Sequence, residues 1–346
     1  MKVADGVRAR VAVVGAGAWG TVFAQICADA GTPVRLLTRD AALAEAITAN
    51  HVNDRNYPGV RLPDAVTAGT DPAWAFEGAD VIAVAVGAQT LGDTVRGLAG
   101  DIGPEAVVAS LVKGIERGSG RRMSQVIADA AGLPPGRVAA VSGPNLAGEL
   151  VQRQPGATVV ACPDEAVARR VGQVFATEYM RPYSNPDVTG VEVCGAVKNI
   201  IALAIGAACG MGLGLNTQAT MLTRGLAEMT RLGLALGAEL ETFQGMAGVG
   251  DLAATCLSPL SRNHQVGVHL GQGRTVAEAV AATKGTAEAV ETAPAVRDLA
   301  RGLGVEMPIT EGVVAVIHEG MDAARMGHLL LTRPYRSEGS RYEAWQ

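Results

Sequence analysis

Hydrophobic positions fall into two kinds of run along this chain. In the first half they form short blocks, at 10–14, 34–37, 80–86, 106–111, 138–141 and 157–161, separated by polar or helix-forming stretches. Continuous apolar blocks without alternation predict strands buried on both faces, hence a largely parallel sheet covered by helices. After Asn185-Pro186-Asp187 this pattern stops. The stretches 191–209, 217–236, 275–302 and 310–325 then have helical length and periodicity. The expectation is an α/β domain over 1–189, an all-α domain over 190–331, and a polar, mobile tail over 332–346.

The stretch 190–207 is apolar almost throughout and predicts a buried helix. Between Glu192 and Asn216 the only charged or amide side chains are Lys198 and Asn199. A lysine there must reach water or have a specific partner, because an unpaired buried ammonium is costly. Desolvation would also lower its pKa and suit it to proton transfer near neutral pH.

Composition narrows the field. A length of 346 residues with 48% hydrophobic content supports two cores. The net charge of -5, with no lysine or arginine run, gives no nucleic-acid footprint. The first ten residues lack a signal-peptide core, and no uninterrupted apolar run reaches spanning length, so a soluble cytoplasmic protein without membrane insertion is expected. The five cysteines (Cys27, Cys162, Cys194, Cys209, Cys256) are scattered without metal-ligand spacing, which predicts reduced thiols and no metal.

The first block runs directly into Gly15-Ala16-Gly17-Ala18-Trp19-Gly20, then a helix ending near Gly31, then the block at 34–37. That places a GxGxxG motif in a strand–turn–helix–strand context, the signature of a Rossmann-type dinucleotide site. Glycines allow close backbone approach, and the helix N-terminus offers free N–H groups to a pyrophosphate. After the second block stands Thr38-Arg39-Asp40. Arg39 suits a 2′-phosphate, and Asp40 reads as a helix cap, so NADP(H) is expected to be preferred with NAD(H) tolerated.

Two later blocks end in polar loops, one holding Lys113 and one reading Ser142-Gly143-Pro144-Asn145. Lys113 either reaches a ligand oxygen or is an ordinary surface lysine. Further on, Gly245-Met246-Ala247-Gly248-Val249-Gly250 precedes Asp251, which taken alone reads as a helix cap. The glycines there mark either a hinge or tight packing. Ser261-Arg262-Asn263 opens an amphipathic run, where free N–H groups and a guanidinium would suit a phosphate.

Taken together, the motifs resemble the bacterial NAD(P)-dependent glycerol-3-phosphate dehydrogenases. The resemblance runs from Arg10 to about Leu331 through GAGAWGT (15–21), HVNDRNYPGVRLP (51–63), LVKGIE (111–116), SGPNLAGEL (142–150), EVCGAVKNIIALA (192–204), NTQATMLTRGLAEMTRLG (216–233), GMAGVGDLAATC (245–256), SRN (261–263) and GVEMPIT (304–310). It implies reversible hydride transfer between NAD(P)H and dihydroxyacetone phosphate, giving sn-glycerol 3-phosphate for phospholipid synthesis. It leaves room for a homodimer.

By the resemblance, Lys198 is the proton donor and acceptor, and Lys113 and Asp251 join it in the catalytic set. Gly143, Asn145, Ser261, Arg262 and Asn263 complete the implied substrate contacts. Gly15, Gly17, Ala18, Trp19, Gly20, Arg39, Lys113, Ala147, Arg262, Thr286 and Glu288 fall where cofactor contacts are expected. Asn145 stands where other members carry serine or threonine, and Gly87-Ala88-Gln89 where many have proline and serine. A keto-acid reductase of similar architecture would need a cation pair for a carboxylate, and a cofactor sensor would not need Lys198, Asp251 and Arg262 together.

Overall fold

The computed structural model describes residues 9–331 apart from Lys284 and Thr286, and the tail expected over 332–346 lies outside the described residues. One unit comprises the chain up to Val112 together with Met123–Val188; the other comprises Lys113–Arg122 and the chain from Thr189 onward.

The first unit is built on β1 (Val11–Val14), β2 (Val34–Leu37), β3 (Val66–Gly69), β4 (Val81–Val84), β5 (Val107–Ser110), β6 (Val138–Ser142), β7 (Gly156–Ala161) and β8 (Met180–Asn185). Their order is β3-β2-β1-β4-β5-β6-β7-β8, and every pair is parallel except β6 with β7. Its helices are α1 (Ala18–Asp29), α2 (Ala41–Asn50), α3 (Pro72–Phe76), α4 (Leu91–Leu98), α5 (Met123–Ala131), α6 (Ala147–Leu150) and α7 (Glu165–Gln173). Alternate strand residues feed two separate cores. Val11 and Val13 pack with Phe23 and Ile26 of α1, whereas Ala12 and Val14 pack with Leu91 of α4 and Ile127 of α5. This is the two-sided burial that the unbroken apolar blocks predict.

Two strands fall outside the expected blocks, and both are edges. β3 is mostly half-buried, and β8 carries Pro182 among exposed polar residues. An edge strand needs neither two apolar faces nor a full row of N–H donors, so its sequence signal is weak.

The second unit contains α8 (Val188–Gly210), α9 (Leu215–Ala235), α10 (Leu240–Gln244), α11 (Asp251–Leu257), α12 (Arg262–Gly271), α13 (Val276–Ala282), α14 (Glu288–Gly302), α15 (Pro308–His318) and α16 (Ala323–Leu331). The helix expected over 275–302 is two helices, α13 and α14. The break contains Gly285 at φ +96°, a backbone state that a helix does not contain. The helix expected over 310–325 likewise ends at His318, with Gly320 at φ +73° just beyond it.

By length and composition α8 could cross a bilayer, but 89% of its most apolar window is buried inside the protein. It is the axis of the helical unit, and α12 lies directly on it. Four glycines at helical spacing make that approach possible. A Cβ added at Gly206 would stand 2.1 Å from the carbonyl oxygen of His264, and at Gly210 2.1 Å from that of Val268. From the other side, Gly267 would meet Leu203 O at 2.0 Å and Gly271 would meet Ala207 O at 2.1 Å. The two backbones touch, and no side chain fits between them. The same applies to the glycine segment before Asp251, where a Cβ on Gly248 would stand 2.1 Å from Phe243 O. Tight packing accounts for that glycine.

Gly267→Ala should therefore destabilise the protein by about 3 kcal/mol, because backbone atoms cannot rotate aside as side chains do. Gly97→Ala in α4, where a Cβ meets nothing within 4 Å, should be neutral or mildly stabilising. Urea denaturation of both variants checks this; equal midpoints would contradict the close helix contact.

Candidate active site

The glycine loop follows β1 at the point where the sheet order turns from β2 on one side to β4 on the other. In open α/β sheets this is where ligands bind. Gly15 has φ +103°, and a Cβ there would stand 2.6 Å from Ala85 O; one on Gly20 would stand 2.0 Å from Gly15 O. These glycines are required by the turn itself. Gly17 is different: nothing lies within 4 Å of its missing Cβ, and as N-cap of α1 it supplies no side-chain cap. The open space and uncapped helix start fit a pyrophosphate.

The 51–63 motif acquires a role here that its sequence did not disclose. Asn53 and Asn56 both donate to Ala16 O (3.1 and 3.2 Å), and the Tyr57 hydroxyl donates to Ala18 O (3.2 Å). They clasp the loop by its carbonyls. Trp19 packs edge-on against Phe23, with ring centroids 6.2 Å apart.

Arg39 is exposed at the end of β2. Asp40 does serve as a cap, accepting from Leu43 N at 3.1 Å and pairing with Arg55 at 2.6 Å. The Leu43 N–H and then the Arg55 guanidinium hold its carboxyl below the usual range. Both carboxylate oxygens of Asp40 are thus engaged within the protein. Gly143 follows β6, with the Thr158 backbone 2.9 Å from where its Cβ would stand. Asn145 donates to Thr158 Oγ1 at 2.8 Å, leaving its Oδ1 buried without a hydrogen-bond partner. Ala147 begins α6.

In the helical unit the expected residues meet at one carboxylate. Lys198 Nζ donates to Asp251 Oδ1 at 2.5 Å, and Lys113 Nζ donates to Asp251 Oδ2 at 2.8 Å. Lys198 is 6% exposed and Asp251 1%, so neither the snorkelling lysine nor the simple cap describes them. Lys113 is no ordinary surface lysine either, with a side chain only 11% exposed. Burial pulls the Lys198 ammonium down to about 8, against the attraction of Asp251 and with the repulsion of Lys113. Burial alone would raise Asp251, but the two ammonium groups outweigh it and hold that carboxyl below its ordinary value.

Thr255 was not anticipated. Its Oγ1 accepts from Lys198 at 2.8 Å and itself donates to Asp251 O at 2.6 Å. The available signal was spacing: Thr255 lies one helical turn beyond Asp251 on the same face. Asn199 is the other such residue, donating to Glu288 Oε2 at 3.0 Å.

Ser261 caps α12, accepting from His264 N at 3.3 Å. Asn263 Oδ1 accepts from Ala289 N at 3.0 Å, which ties the start of α12 to the start of α14. Arg262 lies against Gly285, where a Cβ would stand 2.8 Å from its Nη1. Thr286 lies outside the described residues. Among the described residues, no three His, Cys, Asp or Glu side chains are grouped to hold a metal ion.

Residues 10–168 match the family described as NAD-dependent glycerol-3-phosphate dehydrogenase N-terminus, and residues 187–328 match its C-terminus. Glycerol-3-phosphate dehydrogenase [NAD(P)+] of Streptomyces griseus is 53% identical over 329 residues, covering 95% of this chain and 98% of the relative. The protein of that name from Corynebacterium jeikeium is 50% identical, covering 95% and 99%. Among solved structures, glycerol-3-phosphate dehydrogenase from Coxiella burnetii superposes with a TM-score of 0.90 at 34% identity, covering 94% of this chain and 99% of that one.

Neutralising Asp251 removes the carboxylate that both lysines bond. Asp251→Asn should cost about 3–5 kcal/mol at neutral pH, the range for breaking a buried ion pair from one side. The penalty should shrink as pH rises and the unpaired lysines lose their protons. Denaturant titrations at pH 7 and pH 10 read both effects, and a cost below about 0.5 kcal/mol at pH 7 would contradict the pairing.

Proposed function

The chain belongs to the NAD-dependent glycerol-3-phosphate dehydrogenase family, and from that premise we propose a division of labour among its residues. It reduces dihydroxyacetone phosphate to sn-glycerol 3-phosphate reversibly, with Lys198 passing the proton. One observation carries this reading: Lys198 is buried and held at two points, in surroundings whose burial pulls its ammonium down to about 8. A group matched to ambient pH in this way can both give and take a proton.

Bound NAD(P)H supplies the hydride. The glycine loop and the uncapped start of α1 hold the pyrophosphate. Arg39 meets a 2′-phosphate, and with Asp40 committed elsewhere the chain prefers NADP(H) to NAD(H). Glu288 and Ala147 are further contacts for the cofactor.

As the substrate carbonyl gains a hydride, negative charge develops on its oxygen, and Lys198 Nζ delivers the proton there. Lys113, Lys198 and Asp251 carry a net charge of +1 between them, so the cluster favours an anion over a neutral oxygen. Asp251 keeps both ammonium groups in place and Thr255 fixes the direction of one. Arg262, with the Nδ2 of Asn263 and the start of α12, gathers the phosphate, whose binding energy orients the carbonyl. The Oδ1 of Asn145 accepts a substrate hydroxyl. No metal takes part. The product supplies glycerophospholipid synthesis in the cytoplasm, and the enzyme is not inserted in a membrane.

Purified protein should consume NADPH with dihydroxyacetone phosphate and barely with unphosphorylated dihydroxyacetone. Lys198→Ala should lower kcat by about 10²–10⁴-fold while NADPH binding, followed by fluorescence, stays intact. Reduction should slow as pH rises through about 8, since only the ammonium donates. Arg39→Ala should narrow the NADPH-to-NADH ratio of kcat/KM. Wild-type turnover in Lys198→Ala would remove that lysine from the chemistry, and an unchanged ratio would remove Arg39 from cofactor choice.

A further inference from the structure

Between β5 and α5 the chain leaves the sheet unit, and residues Lys113–Arg122 pack with the helices instead. They form a short hairpin. Ile115 and Arg122 bridge antiparallel, Glu116 N donates to Arg121 O at 3.0 Å, and Gly120 N donates to Glu116 O at 3.1 Å. Lys113, the second lysine on Asp251, stands at its first position, and Arg122 at its last.

The hairpin is attached at several points. Arg122 Nη1 meets Glu192 Oε2 at 2.6 Å, and the Glu192 side chain is 4% exposed. Arg117 pairs with Glu291 of α14 at 2.9 Å in the open. Ile115 is fully buried, and Gly120 lies beside Leu299 of α14. Of the attachments, Arg122–Glu192 reaches the helix that matters. Glu192 lies six residues before Lys198 on α8, about 9 Å along the axis. Exposed pairs such as Arg117–Glu291 contribute little, whereas breaking a buried charged pair leaves one charge uncompensated.

We propose that the Arg122–Glu192 ion pair is a positioning device for Lys113. It fixes the far end of the hairpin to α8, so that the near end delivers Lys113 to Asp251 in register with Lys198. Both lysines are then referenced to one helix, although they stand 85 positions apart in the sequence. Arginine suits the task, since its planar fork holds a carboxylate in one orientation and never loses its proton.

The consequence is readable at Lys198 itself. The groups facing it are Asp251 and Cys256 of α11 and Lys113 of the hairpin, with Glu288 of α14 bonded one residue along at Asn199. Releasing Lys113 withdraws the one cation among them. The ammonium of Lys198 should then be easier to keep, and its titration should move to higher pH.

The test uses the full-length enzyme with Arg122→Gln, Glu192→Gln and the milder Arg122→Lys, which keeps the charge and loses the fork. Lysine Cε resonances in selectively labelled protein report the Lys198 titration without turnover, and steady-state kinetics report kcat and cofactor KM. The expected result is a kcat loss of about tenfold or more in both glutamine variants. It should come with a higher Lys198 titration midpoint and partial recovery of both in Arg122→Lys. Folded variants with wild-type kcat and an unmoved midpoint would overturn the proposal. So would a loss of kcat with the midpoint unmoved, which would mark the pair as merely structural. The inference rests on Lys198 being the acid. A wild-type enzyme inert toward dihydroxyacetone phosphate would sink that reading separately, while the titration would still judge the ion pair.

Discussion

One buried carboxylate holds one buried and one partly buried ammonium group, and the helical unit is arranged to make that arrangement tolerable. Taking a charge out of water costs several kcal/mol even after the protein relaxes. Asp251 offsets the cost for Lys198 and Lys113 only because each of its oxygens has one lysine at hydrogen-bond distance. The set still carries one positive charge too many. It can shed that charge by releasing the Lys198 proton or compensate it by holding an anion. The proton transfer proposed for Lys198 needs both options.

The choice of cation is informative. Of the 29 Lys and Arg residues, four are lysine, and two of those four stand on Asp251. Elsewhere among the described residues most ion pairs are made by arginine, as with Asp40, Glu192, Asp29, Glu311 and Glu319. Arginine makes the better bidentate contact but cannot lose its proton in a protein. Lysine stands where the proposed mechanism needs adjustable ionisation. Geometry then rests on backbone contact. The glycine faces of α8 and α12 bring the Ser261-Arg262-Asn263 turn onto the same helix that carries Lys198, with no side chain between them to slide.

Much of this was legible in the sequence. Unbroken apolar blocks gave β1, β2, β4, β5, β6 and β7, because strands covered on both faces leave no room for polar alternation. Edge strands β3 and β8 lack that constraint. The breaks at Gly285 and Gly320 were hidden because helical periodicity continues on either side of them, and only the backbone angle distinguishes a helix end from a mid-helix glycine. Lys198 was conspicuous as a charge in an apolar helix, and Asp251 followed from the motif. Their contact across 53 residues has no signal in spacing. Nor does the departure of 113–122 from the sheet unit, since a loop between a strand and a helix reads the same whichever body it packs on. The asparagines of the 51–63 motif were visible as a motif, but their grip on Ala16 O depends on a tertiary fold that sequence order does not reveal.

The most direct measurement is the titration of Lys198 in the free wild-type protein, followed through the Cε resonances of a chain with only four lysines to resolve. A midpoint near 8, well below the ordinary lysine value of about 10.4, is the result that burial beside Asp251 and Lys113 requires. A midpoint at the ordinary value would mean that Lys198 is neither desolvated nor poised, and the account of the site built on it would fall.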